Sequence, residues 1–187
     1  MNMNAMRKVL IVGCLAVVTA CGGGGSDVGG AGGGSGTLAA SFTPDQGAPG
    51  ANTVSLAQGS ASGDTVVVRL NLTDTSNVSG VAFDLLFDST RLTFLGRGDG
   101  NLFEQGGASV TYQLSSPSAG QLTVGVARNN TTPVSAVGTK TVVTFSFRVK
   151  VVGSTPVSFA ANRVTDNQAP PQTMAGINWF AGTFVGN

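Results

Sequence analysis

The sequence predicts an all-β protein, folded as a two-sheet β-sandwich with jelly-roll topology. Seven or more segments alternate apolar and polar residues with a period of two, glycine-containing turn signals separate them, and no stretch shows sustained helical periodicity with caps. Such a run of strands folds by burying one face of each sheet against the other. The chain has 187 residues, enough for one domain with a hydrophobic core.

The most informative strand is predicted at 81–87, "VAFDLLF". Its bulky residues alternate with Ala82, Asp84 and Leu86, so if Phe83 points into the core, these three point out. Asp84 therefore need not be a buried carboxylate. Because its two companions are apolar, this outer face is only partly polar, which favours a surface that something else covers.

Further strands are predicted at 65–73, 109–114, 121–127 and 142–151, with shorter candidates at 156–161 and 177–185. Turn signals lie at 62–64, 98–100, 118–120, 129–130 and 153–154. The residues that we expect to point inward are Val66, Val68, Leu70, Leu72, Val110, Tyr112, Leu114, Leu122, Val124, Val126, Val143, Phe145, Phe147, Val149 and Val151.

The composition excludes several kinds of chemistry. The chain has no His, so neither a Ser–His nor a Cys–His nucleophile pair nor a His zinc ligand is possible. Its two Cys, Cys14 and Cys21, precede the strands, so we expect neither a disulfide nor thiolate chemistry in the folded part. Removal of Arg7 and Lys8 with a signal peptide would leave 8 basic residues (10 − 2) against 9 acidic ones, which gives no footprint for nucleic acid.

The N-terminus has the pattern of a bacterial signal peptide at 1–20. Two basic residues precede an apolar run at 9–20, which is too short to span a bilayer comfortably. The run ends in "VTAC", which resembles the lipobox of bacterial lipoproteins. That resemblance implies cleavage before Cys21 and lipid attachment to this residue, and several acyl chains anchor a protein durably. An ordinary secretory signal with an incidental Cys is the alternative.

A Gly/Ser-rich segment follows Cys21, and we interpret 21–37 as a lipidated flexible tether ahead of a folded domain at 38–187. Such a segment has almost no side chains to bury, and at about 5–6 Å × √n it spans roughly 20–25 Å. A phosphate cradle would need a preceding strand and a following helix, which are not predicted here. Gly22 in place of Asp favours, by analogy with lipoprotein sorting, the outer membrane.

From about Thr53 onward the order of motifs resembles a cohesin domain. "GDTVVVRLNL" is similar to the opening strand of that family, and "VSGVAFDLLFDSTRLTF" is similar to its hallmark strand and the step that follows. "GQLTVGVA" resembles the middle strand, and "VGTKTVVTFSFRVKVVGSTPVSF" resembles the late pair. Each motif is generic, and the specificity lies in their shared order and spacing.

The resemblance implies a jelly roll of about nine strands that binds dockerin modules and so assembles or attaches polysaccharide-degrading enzymes. It implies that the outward face of the hallmark strand belongs to the partner-binding sheet. We therefore expect a non-enzymatic, monomeric module of the cell envelope that needs no cofactor and no obligatory metal. The residues implied in partner binding are Ala82, Asp84, Leu86, Thr123 and Gly125.

Two other functions remain open at this stage. Direct polysaccharide binding usually stacks sugars on exposed aromatic rings, but Trp179 and Tyr112 are both expected to pack on the core. A glycosidase needs two carboxylates about 5–10 Å apart, whereas Asp84 and Asp88 are expected roughly 13 Å apart along one strand.

Three polar positions have simpler interpretations. We expect Asp88 to make local turn hydrogen bonds and Glu104 to be a loop charge. One carboxylate in the loop at 99–101 is too few for a calcium site.

Overall fold

The structure is a computed structural model that describes residues 38–187, a range built from ten β-strands and one short 3₁₀ turn at Gln105–Gly107. The predicted signal peptide (1–20) and lipidated tether (21–37) lie outside the described residues. The strands are β1 (Ala40–Pro44), β2 (Thr53–Ser62), β3 (Thr65–Leu86), β4 (Leu92–Asp99), β5 (Val110–Ser115), β6 (Gln121–Arg128), β7 (Val134–Val149), β8 (Gly153–Asp166), β9 (Asn178–Phe180) and β10 (Gly182–Gly186).

The strands form two sheets that share β3. We call the sheet with the order β5-β6-β3-β8-β10-β1 the site sheet; it uses the second half of β3, residues 78–86. The second sheet has the order β9-β2-β3-β7-β4 and uses mainly the first half, residues 65–75. All pairings are antiparallel except that of β2 with β9.

β3 changes sheets through a bend between Thr73 and Val78. The register with β7 shifts twice in this stretch, and Asp74 and Asn77 have positive φ angles of 41° and 59°. Asp and Asn tolerate this left-handed conformation better than other residues with a side chain. The Asp74 carboxylate also accepts a hydrogen bond from the backbone N–H of Gly138 at 2.6 Å, which ties the bend to β7.

The core lies between the two sheets and is rich in phenylalanine. Its buried residues come from every strand except β5 and β9, and partly buried Val110, Tyr112 and Trp179 from those two strands pack against it. Edge-on and tilted aromatic pairs of this kind contribute beyond the apolar area that they bury. Pairs that join the sheets are Phe83–Phe145 at 6.2 Å, Phe147–Phe184 at 5.1 Å and Phe159–Trp179 at 5.1 Å between ring centroids.

The predicted fold class is confirmed, with ten strands rather than about nine. Most residues predicted to point inward are buried, but two predictions were wrong. Val151 is 36% exposed because β7 ends at Val149 and the chain turns there, and Leu114 is 37% exposed because it lies near the end of an edge strand.

Residues Gly36–Asn187 form one compact unit with its own core, so we expect them to fold as a separate domain. Ala39 and Asn187 exchange backbone hydrogen bonds of 3.0 and 2.8 Å, which closes the end of the β1–β10 pair. In the described range there is no helix of the length and hydropathy required to cross a bilayer.

We predict that Phe145→Ala lowers the free energy of unfolding of residues 36–187 by about 3–5 kcal/mol. The side chain is fully buried, and its removal leaves a cavity that the sheets fill only partly. Urea unfolding measures the change. Leu95→Ala, at a position that is 44% exposed, is the control and should cost less than about 1 kcal/mol. Equal losses for both variants would contradict the assigned core.

Candidate functional site

The outer face of the site sheet brings the sequence-predicted residues together. Asp84 lies opposite Thr123 of β6, and Ala82 lies opposite Gly125. Leu86 follows on the same face and is 37% exposed. The five predicted residues therefore form one contiguous patch on β3 and β6.

Sequence reasoning missed the two walls of this patch. On one side Gln113 of β5 is paired with Gly125. On the other side Arg163 of β8 is paired with Ala82. Both side chains are exposed, and they stand on either side of a floor made of small residues.

The floor and walls enclose a groove that runs along the strands. A depression of about 230 Å³ is continuous with a second one of about 310 Å³, since both are lined by Ala82, Gln113, Gly125 and Arg163. The first extends to Gly80, Ala127, Thr111 and Thr165, and the second extends to Ser115 and Thr123. We call this feature the sheet groove.

The two glycines in the floor are present for different physical reasons. A Cβ on Gly80 would lie 2.9 Å from Oγ1 of Thr165 and 3.2 Å from the backbone oxygen of Val126, so the close packing of β3 against its neighbours excludes a side chain. At Gly125 a Cβ would meet only atoms of Gln113, at 3.7 and 3.8 Å, which is ordinary contact distance. Gly125 is therefore not required by packing, and its effect is to leave the groove open.

Two charged side chains lie on this face, the acidic Asp84 on β3 and the basic Arg163 on β8. The Asp84 carboxylate accepts a hydrogen bond of 2.6 Å from the hydroxyl of Thr123, which orients it across β6. Neither of the two ion pairs among the described residues includes Arg163. This face thus offers a partner the accessible guanidinium of Arg163 in the groove wall and, beside Thr123, the oriented carboxylate of Asp84.

Arg163 reaches this face because of a bulge in β8. The register with β3 shifts between Ala82, which pairs with Arg163, and Asp84, which pairs with Ala160. Ala161, inside the bulge, has a positive φ of 46°. A simple alternation continued from 156–161 does not predict this extra residue, and no strong local signal marks it.

The remaining polar candidates have structural roles. The backbone N–H and the hydroxyl of Thr90 both donate to the Asp88 carboxylate, at 2.8 and 2.6 Å, which confirms the predicted turn. The Glu104 carboxylate accepts a long hydrogen bond of 3.4 Å from the Tyr112 hydroxyl. Within 38–187 no group of three His, Cys, Asp or Glu side chains is placed to hold a metal ion.

The aromatic residues proposed for sugar stacking are not on the groove. Trp179 is partly buried against Phe83 and Phe159, with centroid distances of 5.9 and 5.1 Å. Tyr112 is partly buried under Arg97, whose guanidinium carbon lies 4.2 Å from the ring centroid, and burial raises the pKa of this phenol. Both are therefore packing residues, as predicted.

The described residues thus form a two-sheet jelly roll with an open groove on the outer face of one sheet. The family model of the cohesin domain matches residues 51–174, which is more than half of the chain. This chain therefore belongs to the cohesin domain family. Comparison with curated protein sequences gave no match.

Solved cohesin structures share the fold at low sequence identity. A type II cohesin domain from the cellulosome of Acetivibrio cellulolyticus is 14% identical with a TM-score of 0.55, over 80% of this chain and 95% of that one. The seventh ScaB type I cohesin from Pseudobacteroides cellulosolvens is 13% identical with a TM-score of 0.54, over 70% and 88%. The sixth cohesin of scaffoldin B from Acetivibrio cellulolyticus, in complex with a mutant Cel5 dockerin, is 18% identical with a TM-score of 0.52, over 75% and 96%.

We predict that Thr90→Val raises the pKa of Asp88 towards its usual value of 3.8. The side-chain hydrogen bond of Thr90, followed by its backbone N–H, holds this pKa below that value. A carboxyl group whose pKa is lower in the folded than in the unfolded state stabilises the fold at pH values above its unfolded pKa. This contribution is lost as the pH falls through the lowered pKa. Carboxyl NMR titration measures the shift. An unchanged pKa in Thr90→Val, with Ser89→Ala as the control, would contradict the assigned cause.

Proposed function

We propose that this chain is a non-enzymatic module that binds a dockerin-type protein module through the sheet groove, in assemblies that bind or degrade polysaccharide. The observation that carries the proposal is the groove itself, an open channel floored by small residues. Its lining includes Ala82, Thr123 and Gly125, three of the five positions at which the family resemblance places partner contacts. The other two, Asp84 and Leu86, follow Ala82 on the same face of β3. The scaffoldin B cohesin cited above is in complex with a dockerin, which supports the same kind of partner here.

The dimensions of the groove suit a single α-helix. Its walls on β5 and β8 are three strand spacings apart, about 14 Å at ~4.8 Å each. An α-helix with its side chains is about 10–12 Å wide. Because Gly125 and Ala82 project little or no side chain from the floor, a helix lying along the strands can approach the sheet closely.

The charges define the chemistry of that helix. Arg163 favours a carboxylate on the partner, since its guanidinium can bind one in a bidentate manner. Asp84 already accepts one hydrogen bond from Thr123 and favours a further donor, either a hydroxyl or an ammonium group. Charge pairs of this kind contribute chiefly to orientation and specificity.

Catalysis has little support among the described residues. The Asp84 carboxylate is bonded to Thr123, that of Asp88 lies in a turn, and Glu104 contacts Tyr112. Each of these three carboxylates is therefore engaged by a hydroxyl group, and none is hydrogen-bonded to a second carboxyl group, whereas glycoside hydrolysis uses a pair of carboxyl groups.

Direct polysaccharide binding is the alternative function, and the surface composition disfavours it. The exposed large apolar side chains of 38–187 are all aliphatic, and residues 1–37 contain no aromatic residue. Sugar rings therefore have no aromatic platform on which to stack.

The proposal includes attachment to the cell envelope. Cys21 after "VTA" supports lipidation, and the Gly/Ser-rich stretch to residue 37 supports a tether that lets the domain search for its partner. Gly22 supports the outer membrane as the destination.

We predict that Asp84→Lys weakens dockerin capture by roughly tenfold or more while the melting temperature stays nearly unchanged. Reversing an interfacial charge costs about 2 kcal/mol or more in binding, whereas the side chain makes one exposed hydrogen bond in the fold. The measurement is a pull-down of residues 36–187 with secreted dockerin proteins of its host, run in parallel with cellulose and xylan.

Two matched controls accompany this variant. Asp84→Asn keeps the acceptor for Thr123 without the charge, and Asp45→Lys makes the same charge change at an exposed position beyond β1. Retention on cellulose or xylan without a protein partner would instead support the alternative function. A large fall in melting temperature for Asp84→Lys would show that the side chain faces the core.

We predict that Gly125→Leu abolishes capture and leaves folding intact, because the new side chain fills the groove and the backbone does not need glycine. Gly125→Ala is the control, since its Cβ makes only ordinary contacts with Gln113. Binding is measured by calorimetry with the captured dockerin. Undiminished affinity of the Leu variant would place the partner elsewhere.

We predict that Cys21→Ser moves the full chain from the membrane fraction to the soluble fraction of the host. Removal of the thiol prevents attachment of the acyl chains that hold the protein at the bilayer. Metabolic labelling with a fatty acid, followed by fractionation, measures this change. Equal labelling of both forms would exclude Cys21 as the lipidation site.

A further inference from the structure

The sandwich has four edge strands, β1, β4, β5 and β9. The edge of β1 is covered by other residues of the fold, and that of β9 is too short to pair with another strand. At the free side of β1, the backbone N–H of Phe42 donates to the side chain of Gln58 at 2.6 Å, and that of Ala40 donates to the backbone oxygen of Gly63 at 2.7 Å. β9 is only three residues long. Short or covered edges are devices by which proteins avoid pairing with other chains.

The edge strand β4 is protected in a different way. Its pairing with β7 is interrupted by a register shift between Phe94 and Gly96, which bends the edge. Its second half carries Arg97 and Asp99, which form an ion pair. Bulges and charges of this kind also discourage strand addition.

β5 has none of these devices. Its six residues, "VTYQLS", include no charge and no proline, and they pair with β6 without a register shift. Thr111, Gln113, Leu114 and Ser115 are exposed. β5 is therefore the one flat, uncharged and open edge among the described strands.

The ladder with β6 shows which backbone groups of β5 are free. Asn129 N–H donates to the carbonyl of Ser109 at 2.9 Å, and these two residues continue the β5–β6 register. Because hydrogen-bonded and non-bonded positions alternate in an antiparallel ladder, Val110, Tyr112 and Leu114 direct their N–H and C=O groups to the open side. No residue in 38–187 supplies a backbone partner there.

We propose, in place of the monomer expected from the sequence, that β5 pairs antiparallel with β5 of a second copy of this chain, across a two-fold axis at Tyr112. In this register Val110 faces Leu114 of the second copy, and Thr111 faces Gln113. The pairing forms about six backbone hydrogen bonds between the two copies. It is isologous, as a closed dimer requires.

The side chains of β5 suit pairing with themselves. The strand itself has no charge that would repel its own copy across the axis. The guanidinium of Arg97, over the Tyr112 ring, is the charge nearest the axis that the contacts show, and its ion pair with Asp99 offsets it. Leu114, which is 37% exposed in one copy, acquires the aliphatic side chain of Val110 as its neighbour. Both sheet grooves then open on the same side of one continuous sheet, although the pairing does not depend on what the groove binds.

The dimer is expected to be weak and dependent on concentration. A single six-residue strand from each copy buries less than the roughly 1,200 Å² typical of a stable interface. Sedimentation velocity of residues 36–187 from about 10 µM to 1 mM should therefore show the average mass rising towards twice the monomer mass. A monomer mass over the whole range would overturn the proposal.

Leu114→Lys tests the edge directly and should abolish the rise in mass, because a charge on an open edge opposes strand addition. Val152→Lys is the matched control, since it makes the same kind of change at a 70% exposed residue in the β7–β8 turn. The melting temperature of each variant shows that it is folded. Self-association of Leu114→Lys equal to that of the control would overturn the proposal.

Disulfide trapping tests the register, because residues 36–187 contain no cysteine. Thr111 and Gln113 would face each other at a non-hydrogen-bonded position, with Cα atoms about 4.5 Å apart, which is within disulfide range. A mixture of Thr111→Cys and Gln113→Cys should cross-link under mild oxidation at least about tenfold faster than either variant alone. Cross-linking of Gln113→Cys alone at the rate of the mixture would overturn the proposed axis at Tyr112.

Discussion

The structure depends on one strand, β3, serving as a central strand in both sheets. Its first half pairs with β2 and β7, and its second half pairs with β6 and β8. The bend that permits this rests on left-handed Asp74 and Asn77 and on the hydrogen bond from Gly138. Because the two sheets are then joined through one continuous backbone, their apolar faces meet and form a core without any cross-link.

The same strand connects the core to the groove. Phe83 and Leu85 point inward, so Ala82 and Asp84 must point outward on the same backbone. The sheet neighbours of these residues are Gly125 and Thr123 on β6 and Arg163 beyond the β8 bulge. The stability of the domain and the shape of its surface are therefore coupled through the pleat of β3, although the residues that determine them are different.

The surface of the site sheet differs from that of an ordinary solvated sheet. Glycine and alanine are poor strand formers. The packing around Gly125 does not require a glycine at that position. An open channel with Arg163 in its wall and Asp84 beside it gives a partner close access to the sheet and few electrostatic contacts. Shape thus has a larger part than charge in what the face can bind, and the two charges provide orientation.

The sequence alone determined the fold class, the inward and outward faces of the clearest strands, and the lipobox-like motif that ends at Cys21. These features are local, since a period of two assigns faces whatever the strand later pairs with. It did not reveal β1, β2 or β4. It also missed the continuity of β3, because the polar stretch at 73–78 looks like a loop and only pairing with β7 makes it a strand.

Only the tertiary structure decided which faces meet, where registers shift and which edges stay open. Arg163 enters the groove through a bulge at Ala161, and Val151 leaves the core because the β7–β8 turn begins there. These outcomes depend on hydrogen bonds between residues far apart in the chain, and a local pattern contains no information about its distant partners.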